Sequence, residues 1–185
     1  DTVAVFGAGP IGIMLGLWAR TAGAFRVILC DIDPTKVEFA RKQGFDAVNS
    51  RETDPVEYIR TQTGGRGADA CIEGAGVAQT WEQALKAVKS FGTVVSMGNP
   101  AGDMTLTQKG YWEILRKQLT LKGTWNSSYN DVRNEWRTAL AAIASHRIDV
   151  RPLISHRFPL SEADKAFGVM RERKEFFNKV MFINR

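Results

Sequence analysis

Two hydrophobic periods alternate along the first two thirds of the chain. Short unbroken apolar runs, Thr2 to Phe6 (TVAVF), Arg26 to Cys30 (RVILC), Ala68 to Glu73 (ADACIE) and Thr93 to Met97 (TVVSM), have the length and β-branched content of buried strands. Between them apolar residues recur at helical spacing: Ile11, Met14, Leu15, Trp18, Ala19 and Ala22, then Trp81, Ala84, Leu85 and Val88. Turn chemistry punctuates the pattern. Gly23 and Gly44 are placed to stop helices, and Asp33-Pro34 and Asp54-Pro55 to start them as cap and first residue. With a short strand at Ala47-Val48-Asn49, a helix through Tyr111, Ile114 and Leu115, and a strand at Leu119 to Trp125, six strands fall into two halves of three. Strands alternating with helices over short connections predict a parallel sheet covered on both faces.

The last third is patterned differently. An amphipathic helix carries Val132, Trp136, Ala139, Leu140 and Ile143, and a proline-punctuated stretch runs from Arg151-Pro152 to Phe158-Pro159. Ser161 and Asp164 suggest a capping box for a helix with Ala163, Ala166, Phe167 and Met170 on one side. Lys179 to Ile183 (KVMFI) reads as a closing strand. The boundary falls after residue 147: a domain over 1–147 and a C-terminal segment over 148–185.

At 185 residues the chain can bury roughly 70% of its unfolded surface, and 44% hydrophobic with 24% charged residues excludes disorder and low complexity. The net charge of 25 − 20 = +5 raises nucleic acid as a partner. The bases are dispersed among acids, as in Arg171-Glu172-Arg173-Lys174-Glu175, which is the pattern of a solvated helix face, so no nucleic-acid partner is expected. The most apolar stretch, Ile11 to Ala19, is about half a bilayer span, so no membrane partner is expected either. Cys30 and Cys71 lie inside strand-like runs and read as buried thiols, which fits a reducing, cytoplasmic setting.

The chemistry concentrates after the first strand. Gly7-Ala8-Gly9-Pro10-Ile11-Gly12 matches G-x-G-x-x-G where the mechanism needs it, leaving a strand and opening a helix. Gly7 would permit the turn, Gly9 would let a diphosphate approach the main chain, and Gly12 would let helix and strand pack closely. Pro10 has no amide hydrogen, so the donors fall on Ile11 and Gly12. Asp31 ends the second strand 31 − 12 = 19 residues past the last glycine. A carboxylate there accepts from ribose hydroxyls and repels a 2′-phosphate, so NAD is expected over NADP. Lys36, on the next helix's first turn, is a further candidate for the ribose. Asp33 competes for the acidic role, but its place before Pro34 suits a helix cap. Gly74-Ala75-Gly76 and Gly98-Asn99-Pro100, after strands four and five, should line the same crevice; the competing reading is ordinary tight turns. The fold class expected is α/β: a doubly wound, six-stranded parallel sheet of the Rossmann type with a C-terminal helix–strand extension.

No catalytic group is assigned. His146 reads as a surface or C-cap residue, His156 between apolar neighbours as structural, and no H-x-x-H, C-x-x-C or close Cys/His/Glu cluster offers a metal site. A resemblance accounts for this. Val5 to Gly12, Asp31-x-Asp33-Pro34-x-Lys36, Cys71 to Gly76, Val95 to Gly98, Leu121 to Trp125 and His156 to Leu160 together resemble the zinc-dependent medium-chain alcohol and polyol dehydrogenases. Ile114 to Lys117, Gly123 to Trp125 and Trp136 are most similar to the galactitol-1-phosphate and sorbitol types. The resemblance implies hydride transfer between NAD and a secondary alcohol of a polyol or polyol phosphate. It also implies zinc bound by an upstream catalytic domain, so the chain is expected to be an excised coenzyme-binding fragment, inactive alone, with 148–185 belonging partly to the missing domain's side. By position, Lys179 takes the family's diphosphate-contacting base, or is a plain edge-strand charge, and Gly123-Thr124 approach the nicotinamide. The family's pairing through strand six implies a homo-oligomer through Leu119 to Gly123. A non-catalytic NAD-sensing module and a methyltransferase stand as alternatives.

Overall fold

A computed structural model describes residues 1–184. Six parallel strands stand in the order β3-β2-β1-β4-β5-β6, with the reversal between β1 and β4. They are β1 (Thr2–Phe6), β2 (Arg26–Asp31), β3 (Asp46–Asn49), β4 (Ala68–Glu73), β5 (Val88–Ser96) and β6 (Thr120–Gly123). Helices α1 (Pro10–Thr21), α2 (Pro34–Lys42), α3 (Pro55–Gln62), α4 (Ala78–Ala87) and α5 (Gln108–Lys117) connect them. Val5 and Phe6, or Ile28 and Leu29, are successive residues pointing to opposite faces, and all four are fully buried. This is the two-sided burial that a doubly wound sheet requires.

The helix ends follow their local chemistry. Asp33 caps α2, its Oδ1 accepting from the Thr35 amide (2.9 Å) and hydroxyl (2.7 Å). Burial pushes the Asp33 carboxyl up, but those bonds and the neighbouring Lys36 outweigh it and hold it below the usual range. Asp54 caps α3 through the Val56 amide at 2.8 Å, and Thr107 caps α5 through the Gly110 amide at 3.1 Å. The end of α4 is closed from another element. The Lys117 ammonium donates to the carbonyls of Leu85, Lys86 and Val88 at 2.8–3.0 Å, satisfying acceptors that a helix end leaves open.

Several expectations are corrected. Helix α1 buries Gly12, Ile13 and Gly16, whereas Ile11 is exposed and Met14, Leu15 and Trp18 are half-buried. Close contact demands small residues: a Cβ on Gly16 would lie 2.7 Å from the Phe45 ring. Strand β6 is shorter than Leu119 to Trp125, and strand β5 begins earlier than Thr93, at Val88.

The chain's contacts divide it into two units, the first Asp1–Ser128, the second beginning at Tyr129, ahead of the boundary expected at 147. The second contains α6 (Glu135–Ala144), β7 (Ile154–Pro159), α7 (Ala163–Glu172) and β8 (Lys179–Ile183), with β7 and β8 paired in parallel. The proline-punctuated stretch from Arg151 to Pro159 thus contains a strand, β7. Val132 lies outside α6, and Trp136, Leu140 and Ile143 are exposed while Ala142 is buried. No capping box forms at α7. A 3-10 turn over Leu160–Glu162 leads into the helix, and Glu162 makes no side-chain cap bond. Phe167 is exposed, its ring 6.2 Å from that of Phe182, while Ala166 is buried. Among the described residues no helix is long and apolar enough to cross a membrane.

Candidate functional site

Because all six strands are parallel, the loops that leave them emerge on one edge of the sheet. Register aligns Phe6 with Cys30 and Glu73, Glu73 with Ser96, and Ser96 with Gly123. The glycine loop (Gly7, Gly9, Pro10, Ile11, Gly12), Asp31, the loops at Gly74-Ala75 and Gly98-Asn99, and Gly123-Thr124 therefore share the carboxyl edge. Crevices for ligands form along this edge at the point where strand order reverses.

The glycine loop is built for approach from outside. Gly7 turns with φ +110°, and its amide donates to the Cys30 carbonyl at 2.7 Å. A Cβ on Gly12 would lie 1.9 Å from the Gly7 carbonyl oxygen, so this glycine is demanded by the protein's own packing. Gly9 is different: its φ is −68°, and a Cβ there would meet nothing within 4 Å. Neither strain nor neighbouring atoms require a glycine at position 9, and the space it leaves open faces the start of α1. No side chain caps that helix. Its first intrahelical bond runs from Ile13 to the Gly9 carbonyl at 3.0 Å, so helix geometry leaves the amides of Ile11 and Gly12 without an acceptor. The positive end of the helix dipole lies behind them.

Asp31 borders this opening. Its Oδ2 accepts from the Ala8 amide at 2.8 Å and its Oδ1 from the Asp33 amide at 3.0 Å, which fixes the half-buried carboxyl against the loop. Each oxygen keeps a lone pair for a hydroxyl donor. Asp33 is occupied as the cap of α2, so of the two acids Asp31 faces the loop. Lys36 is half-buried on the first turn of α2, close enough to Asp33 to lower its pKa. Thr124 is tied to β5 by its amide, which donates to the Ser96 carbonyl at 3.1 Å. Lys179 begins β8 in the second unit, with an exposed side chain.

His146 follows α6 with φ +56°. The His156 Nδ1 lies 2.9 Å from the Ser155 hydroxyl and its Nε2 3.6 Å from a Glu175 oxygen. Burial raises the pKa of both thiols, Cys30 and Cys71. Among the described residues no group of three or more His, Cys, Asp or Glu is placed to hold a metal ion. A groove of about 920 Å³ between α3, α4 and α5 lies on a helical face, lined by charges of both signs such as Glu57, Arg60 and Glu82.

One residue of the edge has a role that the spacing of the motifs does not reveal. Glu73, the last residue of β4, is 1% exposed, and its Oε1 accepts from the Ala75 amide (2.8 Å), the Gly76 amide (2.7 Å) and the Thr80 hydroxyl (2.8 Å). The available signal was an acid closing an otherwise apolar strand.

A doubly wound α/β sheet with an uncapped glycine-loop helix at its switch point defines a nucleotide-binding class of domain. Comparison with known proteins places it further: residues 10–145 match the model of the family described as zinc-binding dehydrogenase, and the chain belongs to that family. It is 32% identical to an alcohol dehydrogenase of Cupriavidus necator, over 97% of this chain and 48% of that protein. It is 33% identical to an erythritol/L-threitol dehydrogenase of Mycolicibacterium smegmatis, over 95% of this chain and 47% of that protein. Among solved structures, galactitol-1-phosphate dehydrogenase from Escherichia coli superimposes with a TM-score of 0.86 at 29% identity, covering 97% of this chain and 52% of that one. The chain thus spans about half the length of the curated relatives it matches.

Proposed function

We propose that this chain is the coenzyme-binding part of an NAD-dependent dehydrogenase that exchanges hydride with a secondary alcohol of a polyol or polyol phosphate. The observation that carries the reading is the opening at Gly9. A glycine that the protein's own geometry does not require stands before two unpaired amides and beside a fixed carboxyl. The Ile11 and Gly12 amides donate to the diphosphate, and Asp31 accepts from the adenosine ribose hydroxyls and repels a 2′-phosphate. Lys36 reaches the same ribose. Gly74, Ala75, Gly98 and Asn99 leave room along the crevice, and Gly123 and Thr124 border the nicotinamide. Bound NAD supplies the hydride acceptor. The polyol class is supported by the family membership and by what the relatives' names say of them.

The zinc of the family has no donor set among the described residues, so the proposal assigns it to a part of the whole enzyme outside 1–184. Residues 1–147 then form the coenzyme domain and 148–185 the segment that joins the catalytic part. The exposed edge strand β6, with Leu119 to Gly123, is where two copies pair. A cytoplasmic setting is supported by two buried free thiols. The test is a fluorescence titration of the 185-residue chain with NADH and NADPH. Saturable NADH binding is expected, with NADPH weaker by about tenfold or more, since Asp31 would meet a phosphate. No NADH binding, or a preference for NADPH, overturns the reading, and tighter S-adenosylmethionine binding would favour a methyltransferase. Polyol oxidation is expected to be absent from this chain alone.

A further inference from the structure

We infer that Glu73 is a positioning residue that fastens the Gly74–Gly76 loop to the loop at Gly98 and Asn99, making one wall of the crevice rigid; the inference rests on the NAD-binding reading above. Glu73 is the one charged residue among the buried described residues. A buried carboxyl is tolerated only when its oxygens find donors, and three donors converge within 2.8 Å on a single oxygen, Oε1. The main chain of the same residue holds the second loop: the Glu73 carbonyl accepts from the Met97 amide (2.9 Å) and the Gly98 amide (3.0 Å). The loops are then tied to each other, as the Ala101 amide donates to the Gly76 carbonyl at 2.9 Å.

The joint has no slack. A Cβ on Gly98 would lie 2.3 Å from the Gly76 nitrogen and 2.8 Å from Glu73 Oε2, and a Cβ on Gly76 would lie 1.9 Å from the Asn99 carbonyl oxygen. The bonds also decide what the wall presents. The Gly74 amide is spent on the Phe6 carbonyl at 2.9 Å, and those of Ala75 and Gly76 on Glu73. The loop therefore offers a ligand no amide donor at any of its three positions. It cannot grip an anion as the start of α1 can, and serves as a shaped, uncharged face for a ring or sugar, with Ala75 outermost.

What the joint needs is an acceptor oxygen at the right reach, and not the charge itself. Glu73→Gln keeps that oxygen in place, whereas Glu73→Asp keeps the charge and withdraws the oxygen by about 1.5 Å, one carbon–carbon bond. NADH titration of the 185-residue chain should give a Kd within about threefold of the parent for Glu73→Gln and about tenfold or more above it for Glu73→Asp, the loss expected when hydrogen bonds to a charged acceptor are broken. Hydrogen exchange at the Ala75 and Gly76 amides should quicken in Glu73→Asp and stay slow in Glu73→Gln. Leu85→Ala, a core truncation remote from the loops, should lower Tm while leaving Kd within about twofold, separating positioning from general stability.

Parent-like binding by Glu73→Asp, or a folded Glu73→Gln that binds no better than Glu73→Asp, overturns the inference. So does exchange at the two amides that ignores both changes. Should the parent chain fail to bind NADH, the NAD reading fails, and the exchange measurement still decides whether Glu73 holds the loop.

Discussion

The tripeptide Gly-Ala-Gly occurs twice on the same edge of the sheet, as Gly7-Ala8-Gly9 after β1 and Gly74-Ala75-Gly76 after β4, each followed by a helix. The two copies are held differently. After β1, the acid that holds the loop comes from the neighbouring strand, and Asp31 takes one loop amide, that of Ala8; neither α1 nor α4 has a side-chain cap. After β4, the acid is the residue immediately before the tripeptide, and Glu73 takes two loop amides and the Thr80 hydroxyl. The first copy spends the amides of Gly7 and Ala8 and leaves that of Gly9 outside these bonds, whereas the second spends all three. A glycine-rich loop is thus not an anion site by composition. What decides is whether its amides already have an acceptor.

The largest expected effects come from glycines that the protein itself demands. Gly12→Ala drives a Cβ into the Gly7 carbonyl and should cost about 3 kcal/mol or more, read as a Tm fall of roughly 10 °C. Gly76→Ala should cost a similar amount in the other loop, adding a positive φ of 74° to its clash with Asn99. Gly9→Ala is the informative contrast. It meets no protein atom, so stability should change by about 0.5 kcal/mol or less, while NADH affinity should fall roughly 10- to 100-fold as the diphosphate is held off the amides. If Gly9→Ala bound NADH normally, the open loop would have no ligand to explain it, and the comparison between the two tripeptides would lose its meaning.

Local signals in the sequence carried well into the structure, and signals that depend on contact did not. The caps at Asp33 and Asp54 and the stops at Gly23 and Gly44 are decided within a few residues, so they could be read directly. The two-sided burial of β1 and β2 followed from unbroken apolar runs, whereas the edge strand β6 is exposed throughout. The packing face of α1 could not be read, because the apolar stripe Ile11, Met14, Leu15, Trp18 is hydrophobic but too large for the close approach that Gly12 and Gly16 allow. β7 was obscured by Pro152 and Pro159, although Ile154, His156 and Phe158 alternate inward with exposed Ser155 and Arg157. In the second unit the apolar spacing places Ala166, Phe167 and Met170 on one side of α7, of which Ala166 is buried and the other two are exposed. Asp31 was found by its distance from the glycines. Glu73 was not, since its role depends on amides that turn inward only when Gly76 adopts its positive φ.

The smallest expected effect probes the closed loop from its third donor. Thr80 reaches Glu73 from the first turn of α4, its hydroxyl 2.8 Å from Oε1 and 2.9 Å from the Val77 carbonyl. Thr80→Val keeps the shape and removes the hydroxyl. The Ala75 and Gly76 amides still satisfy the carboxyl, so no buried group is left without a partner, and the cost should be that of one ordinary hydrogen bond, about 0.5–1.5 kcal/mol. In a chain of this length that corresponds to a Tm shift of roughly 2–5 °C. A double-mutant cycle with Glu73→Asp sharpens the point: withdrawing the acceptor oxygen already breaks the Thr80 bond, so the two costs should fall short of additivity, with a coupling of about 0.5 kcal/mol or more. Strict additivity would mean that Thr80 acts through Val77 alone, and that two amides suffice to close the loop after β4.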